Sequence, residues 1–90
     1  MIRERITIRN EHGLHARPAA EFVRAAGKFK CSVHIARDDD DWVNGKSVLG
    51  ILTLAAEQGQ ALTLKIDGKG DEAEEQQALE VLKKILEGNY

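Results

Sequence analysis

Ninety residues, 42% hydrophobic and 31% charged, have the composition of an ordinary soluble globular chain and leave no room for a second hydrophobic core. A net charge of −2 gives no reason to expect nucleic-acid binding, no apolar stretch approaches the roughly 20 residues of a membrane span, and Met1-Ile2-Arg3-Glu4-Arg5 lacks the apolar core of a secretory signal. The lone Cys31 cannot form an internal disulfide, so the expectation is a cytoplasmic, single-domain protein spanning 1–90.

The elements follow in chain order. Ile2, Ile6 and Ile8 alternate with Arg3, Arg5, Thr7 and Arg9, the pattern of a strand with one buried face. Asn10-Glu11-His12-Gly13 reads as a loop. From Ala16 the period becomes helical: Ala19, Phe22, Val23 and Ala26 form one stripe, Arg17, Glu21, Arg24 and Lys28 the other, and Gly27 weakens the end. Val33 and Ile35 alternate with Ser32 and His34 in a second strand, and Cys31 reads as a small core residue in a strand. A polar turn at Asp38-Asp39-Asp40 joins it to a short third strand, Trp42-Val43, as a hairpin.

Asn44-Gly45 turns the chain into Ser47, a good helix N-cap, and the apolar run from Val48 to Ala56 makes a short helix interrupted by Gly50. Leu62, Leu64 and Ile66 alternate with Thr63, Lys65 and Asp67 in a fourth strand. After a turn at Gly68 to Gly70, Asp71 with Glu74 three residues on is close to a capping box. The last helix should turn Ala78, Val81, Leu82, Ile85 and Leu86 inward and stop at Gly88. The order β-α-β-β-α-β-α implies an α+β open-faced β-sandwich. Its four-stranded antiparallel sheet is covered on one face by three helices, and Arg3, Arg5, Thr7, Thr63 and Lys65 lie on the open face.

The run Gly13-Leu14-His15-Ala16-Arg17-Pro18-Ala19-Ala20 carries the chemistry. It sets a histidine where a loop becomes a helix, and Pro18 is tolerated only in a first helical turn. A helix start has unpaired N–H groups and partial positive charge, which attract phosphate. Neutral imidazole is nucleophilic near pH 7, since its ordinary pKa is about 6.5, and the phosphoramidate it forms is labile enough to be passed on. Phosphoryl transfer asks mainly for positioning and charge neutralisation. Arg17 offers a permanently charged fork, the amides of Ala16, Arg17 and Ala19 further donors, and Gly13 lets the loop bend tightly. His15 is thus a candidate phosphohistidine.

With those residues the sequence resembles the HPr family, the histidine-containing phosphocarriers of the bacterial phosphotransferase system. Gly-Leu-His-Ala-Arg-Pro-Ala is similar to the family's active-site motif, and Asn44-Gly45-Lys46-Ser47-Val48-Leu49-Gly50 to the motif around its regulatory serine. The likeness covers essentially the entire chain, with about one extra residue in the acidic turn. It implies that His15 takes phosphate from phosphorylated Enzyme I and donates it to Enzyme II A components for sugar uptake, with Arg17 neutralising the group in transit. It further implies a docking patch of Ala16, Ala20, Arg24, Val48, Leu49 and Leu52. Ser47 would be phosphorylated by an HPr kinase/phosphorylase, which lowers acceptance at the histidine and recruits a catabolite-control transcription factor. The resemblance also implies a monomer that relays phosphate without being a turnover enzyme, and it calls for no cofactor.

Two other roles fit the same motifs: a carrier of the nitrogen-linked regulatory branch, and a transcriptional co-regulator acting when Ser47 is phosphorylated. Lys46-Ser47-Val48-Leu49-Gly50 leans toward the sugar branch, and retention of His15 argues against co-regulation as a sole role. His12 departs from the family, which more often has a small polar residue there; when protonated it would favour an anion beside His15. With one cysteine and His34 on a distant strand, no metal site is expected. No carboxylate pair flanks His15 and no Walker-type loop is present, which disfavours hydrolytic or nucleotide-dependent enzymes.

Overall fold

The most regularly alternating segment of the sequence, Ala61–Asp67, is the centre of the sheet. The computed structural model describes residues 1–88. Its elements are β1 (Ile2–Thr7), α1 (Ala16–Ala26), β2 (Ser32–Ala36), β3 (Val43–Asn44), α2 (Val48–Thr53), β4 (Ala61–Asp67) and α3 (Glu72–Leu86). The strands pair antiparallel in the order β1-β4-β2-β3. The register sets Ile2 and Val33 on either side of Ile66, Ile6 beside Leu62 and Ile35 beside Leu64. One apolar face results, and the helices bury it with Phe22, Ile51, Leu82 and Leu86. This is the expected open-faced sandwich of a four-stranded antiparallel sheet and three helices.

The open face is held by side-chain pairs. Register sets Arg3 opposite Lys65, a like-charge pair that costs stability unless something intervenes. Trp42 does so: the Arg3 guanidinium lies 5.3 Å and the Lys65 ammonium 4.3 Å from its ring centre. Its Nε1–H donates to the Asp39 carbonyl at 2.7 Å. Trp42 therefore lies outside the ladder, and the third strand begins at Val43, one residue later than the alternation suggested. Arg5 donates to Thr63 Oγ1 at 3.0 Å, and Thr63 is buried although it belongs to the open face.

Two local expectations change at α3. Val81 is 40% exposed, because the buried stripe runs through Ala78, Leu79, Leu82, Ile85 and Leu86 and leaves position 81 about 100° from its centre. Asp71 caps the helix by accepting the Glu74 N–H at 3.0 Å, but Glu74 does not complete the box. Its carboxylate accepts the Cys31 N–H at 3.0 Å instead, tying α3 to the start of β2. Cys31 is a buried free thiol, pushed up chiefly by that burial.

Among the described residues Glu75 is the one acid inside the core boundary, 2% exposed. It accepts the Gly68 N–H at 2.7 Å and pairs with the Met1 α-ammonium at 3.0 Å. The Gly68 hydrogen bond first, and then the ammonium, hold this carboxyl below its ordinary 4.5. The hydrogen bond to Glu75 pushes the ammonium above its ordinary 8.0. A lowered acid stabilises the fold fully above its unfolded value and loses that contribution as pH falls through the folded one; a raised ammonium does so below its unfolded value and loses it as pH rises. The pair therefore works best between about pH 4.5 and 8. In thermal melts followed by circular dichroism, Glu75→Gln should lower Tm at about pH 6 and flatten its fall toward about pH 3; an acid limb as steep as the parent's would remove Glu75 from this role.

Candidate functional site

The loop that delivers His15 is fastened at both ends. Asn10 Nδ2 donates to the Ile85 carbonyl at 3.2 Å, at the end of α3, and Gly13 N–H closes a tight turn onto the Asn10 carbonyl at 3.0 Å. Leu14 is buried, and its N–H donates to the Ala56 carbonyl at 2.9 Å. Gly13 sits at φ +73° against residues 56 and 57; a Cβ there would come within 2.5 Å of the Ala56 oxygen. Only glycine satisfies both the left-handed backbone and the close approach. The segment it touches follows α2, through Ala55 at φ +50°.

His15 is the N-cap of α1, exposed, with extended backbone at φ −104° and ψ −158°. Its carbonyl accepts the Ala19 N–H at 2.9 Å, while its ring makes no capping hydrogen bond. The imidazole is thus free of the helix it begins. Of the three amides considered as phosphate donors, Ala19's is already used by the helix; Ala16 and Arg17 retain theirs, since the first turn has no acceptor for them. Pro18 stands third in the helix, within the first turn, and has no N–H to leave unpaired. That turn carries no acidic side chain, so the positive end of the helix is not neutralised locally.

Arg17 is exposed and makes no hydrogen bond or ion pair among the described residues. With Asn10, Glu11, His12, His15 and Pro18 it lines an open depression of about 440 Å³. The His12 and His15 rings meet edge to face, 5.7 Å apart at an interplanar angle of 68°. The sequence placed these imidazoles three residues apart; only the turn at Gly13 brings them face to edge. Among the described residues no three His, Cys, Asp or Glu side chains gather as a metal site.

Ser47 caps α2 and accepts the Gly50 N–H at 3.1 Å. Its approach is fixed by Gly45, whose N–H donates to the Val33 carbonyl at 2.7 Å, and by Lys46, whose ammonium donates to the Phe29 carbonyl at 2.8 Å. Only Ile51 of the helix is buried; Val48, Leu49 and Leu52 are 38%, 76% and 36% exposed. A six-residue helix cannot bury them all, and α1 packs beside it with Ala16 exposed and Ala20 half-buried. Arg24 is placed differently. It pairs with Glu21 at 3.1 Å and lines a separate groove with Ala25, Lys28, Val81, Lys84 and Ile85, between α1 and α3.

Comparison with known proteins gives one family. The model described as "PTS HPr component phosphorylation site" matches residues 2–88. Phosphocarrier protein HPr of Pseudomonas aeruginosa is 39% identical over 85 residues, 94% of this chain and 90% of that protein. HPr-like protein Crh of Bacillus subtilis is 39% identical over 82 residues, 91% of each chain. The crystal structure of HPr-C-His from Thermoanaerobacter tengcongensis superimposes with a TM-score of 0.83 at 37% identity, covering 99% of this chain and 94% of that one.

The two backbone features behind the loop make opposite predictions. Gly13→Ala should destabilise by about 2–3 kcal/mol, through the clash with the Ala56 carbonyl and the left-handed φ. Ala55→Gly should stabilise by about 0.5–1 kcal/mol, by relieving a left-handed alanine. Urea unfolding at constant m reads both; equal effects of the same sign would contradict the geometry.

Proposed function

The chain belongs to the PTS HPr family, and from that premise we propose that His15 is a phosphoryl acceptor, loaded by phosphorylated Enzyme I and discharged to Enzyme II A components in sugar uptake. The observation that carries this reading is an exposed ring with no capping bond, at the start of a helix whose first turn has no acid, beside an Arg17 that is unpaired among the described residues. The Nδ1 lone pair of His15 attacks the phosphorus held on Enzyme I; the new N–P bond forms as the old one breaks, and its electron pair returns to the donor. The Ala16 and Arg17 amides and the Arg17 guanidinium face the charge in transit. The chain emerges changed from each half-reaction, so it is a relay and not a turnover enzyme. It works as a cytoplasmic monomer.

Docking falls to Val48, Leu49 and Leu52, joined by Ala16 and Ala20 from α1. These side chains are apolar and open to solvent, which suits brief contacts with several partners. Arg24, turned toward α3, adds charge at the margin of that surface and attracts acidic partners over a distance. Phosphorylation of Ser47 by an HPr kinase/phosphorylase would put a double negative charge at the start of α2, inside the patch, and weaken docking of an acidic Enzyme I.

A second reading has Ser47-phosphorylated protein binding a catabolite-control transcription factor. The equal identity to the HPr of P. aeruginosa and to the protein named Crh keeps it in view. The nitrogen-linked branch is the third. Offering the protein to the Enzyme I of each branch separates these carriers.

Incubation with Enzyme I and labelled phosphoenolpyruvate should give acid-labile, alkali-stable label on the parent and none on His15→Ala; label persisting on that variant would place the chemistry elsewhere. Arg17→Ala should slow transfer about 10–100-fold, the worth of a charged hydrogen bond. Leu49→Ala should leave stability unchanged and raise the KM of Enzyme I for the carrier; an unchanged KM would remove Leu49 from the docking surface.

A further inference from the structure

We propose that His12 couples phosphoryl loading of His15 to the binding of a proton, so that the charged carrier holds an imidazolium at position 12. The inference rests on the carrier reading above and adds a second ionisable partner to it. Its basis is geometric. The two rings stand edge to face, 5.7 Å between centres, both exposed and lining one depression with Arg17. The loop between them is fixed by the Gly13–Asn10 and Leu14–Ala56 hydrogen bonds, so the rings keep company through the transfer.

Phosphorylation changes the charge that His15 presents to His12. Phosphorylated, His15 carries negative charge into the depression that both rings line, and a proton on His12 is favoured. Phosphoryl exchange itself moves no proton: the N–P bond to His15 forms as that to the donor breaks, and the donor nitrogen recovers its electron pair. The proton taken up by His12 comes from solvent and returns there on discharge. Reciprocity then requires that, through His12, a lower pH favour the loaded form relative to a carrier without that imidazole.

The other charged groups do not duplicate this effect. Glu11 and Arg17 line the same depression, Glu57 lies on the loop behind Gly13, and Glu87 follows the helix end that anchors Asn10. Carboxylates ordinarily titrate well below, and guanidinium groups far above, the range in which imidazole changes charge.

The test is a competition. Parent and His12→Asn carriers, in equal amounts, share a limiting quantity of phosphoryl groups through catalytic Enzyme I, and label on each is measured at equilibrium at about pH 6.0 and 8.5. Asparagine keeps a hydrogen-bond donor but does not titrate, and donor chemistry cancels because both carriers draw on one pool. The ratio of label, parent over variant, should fall about threefold or more as pH rises. In parallel, the NMR titration of the His12 ring protons should move to higher pH on phosphorylation of the parent. A pH-independent ratio with normal labelling of both carriers overturns the coupling and leaves the carrier reading intact. Label on neither carrier overturns both.

Discussion

A single hydrogen bond between loops, Leu14 N–H to the Ala56 carbonyl, is the constraint on which the site depends. It ties the segment before α1 to the segment after α2, which are far apart in sequence. Leu14 is buried on one side of that bond and Gly13 lies flat against the facing backbone on the other. His15 is then held at a fixed height over the start of its helix. Without the latch, four polar loop residues would precede a helix whose first turn has no side-chain cap, and fraying would cost the site its amides. The same bond links the loop before His15 to the segment that follows α2, the helix with the exposed apolar side chains.

The fold makes this possible by dividing its labour between the faces of the sheet. One face is given wholly to packing, and every strand contributes to it in register. The helices that cover it are short or amphipathic and expose their starts at the loops. Where a helix is too short to bury all its apolar residues, as in α2, the remainder is open to solvent. Buried polar groups are few and paired: Glu75 answers an amide and an ammonium, and Thr63 answers Arg5.

Much of this is written in residue periodicity. The alternation at 62–66, the stripe through Phe22 and Ala26, and the caps at Ser47 and Asp71 each reach the structure as read, because each depends on near neighbours. The grouping of His15, Arg17 and Pro18 was legible for the same reason, since they occupy one turn. What escaped depends on contacts across the chain. Trp42 left the third strand to lie across Arg3 and Lys65, and Glu74 chose the Cys31 amide over the local box. Val81 fell off the stripe because the true centre of burial shifts toward Leu79. The edge-to-face meeting of His12 and His15 needed the left-handed turn at Gly13, and nothing in their spacing required it.

The placement of Trp42 has a practical side. It is the chain's single tryptophan and dominates its intrinsic fluorescence. The indole stacks with cations on the sheet surface away from the helices, so its emission is a gauge of whether the hairpin remains seated on the first and fourth strands. Dye-free optical signals from this molecule will therefore track the seam of the sheet, and high ionic strength, which loosens such cation contacts, will dim or shift them while the histidine end stays silent.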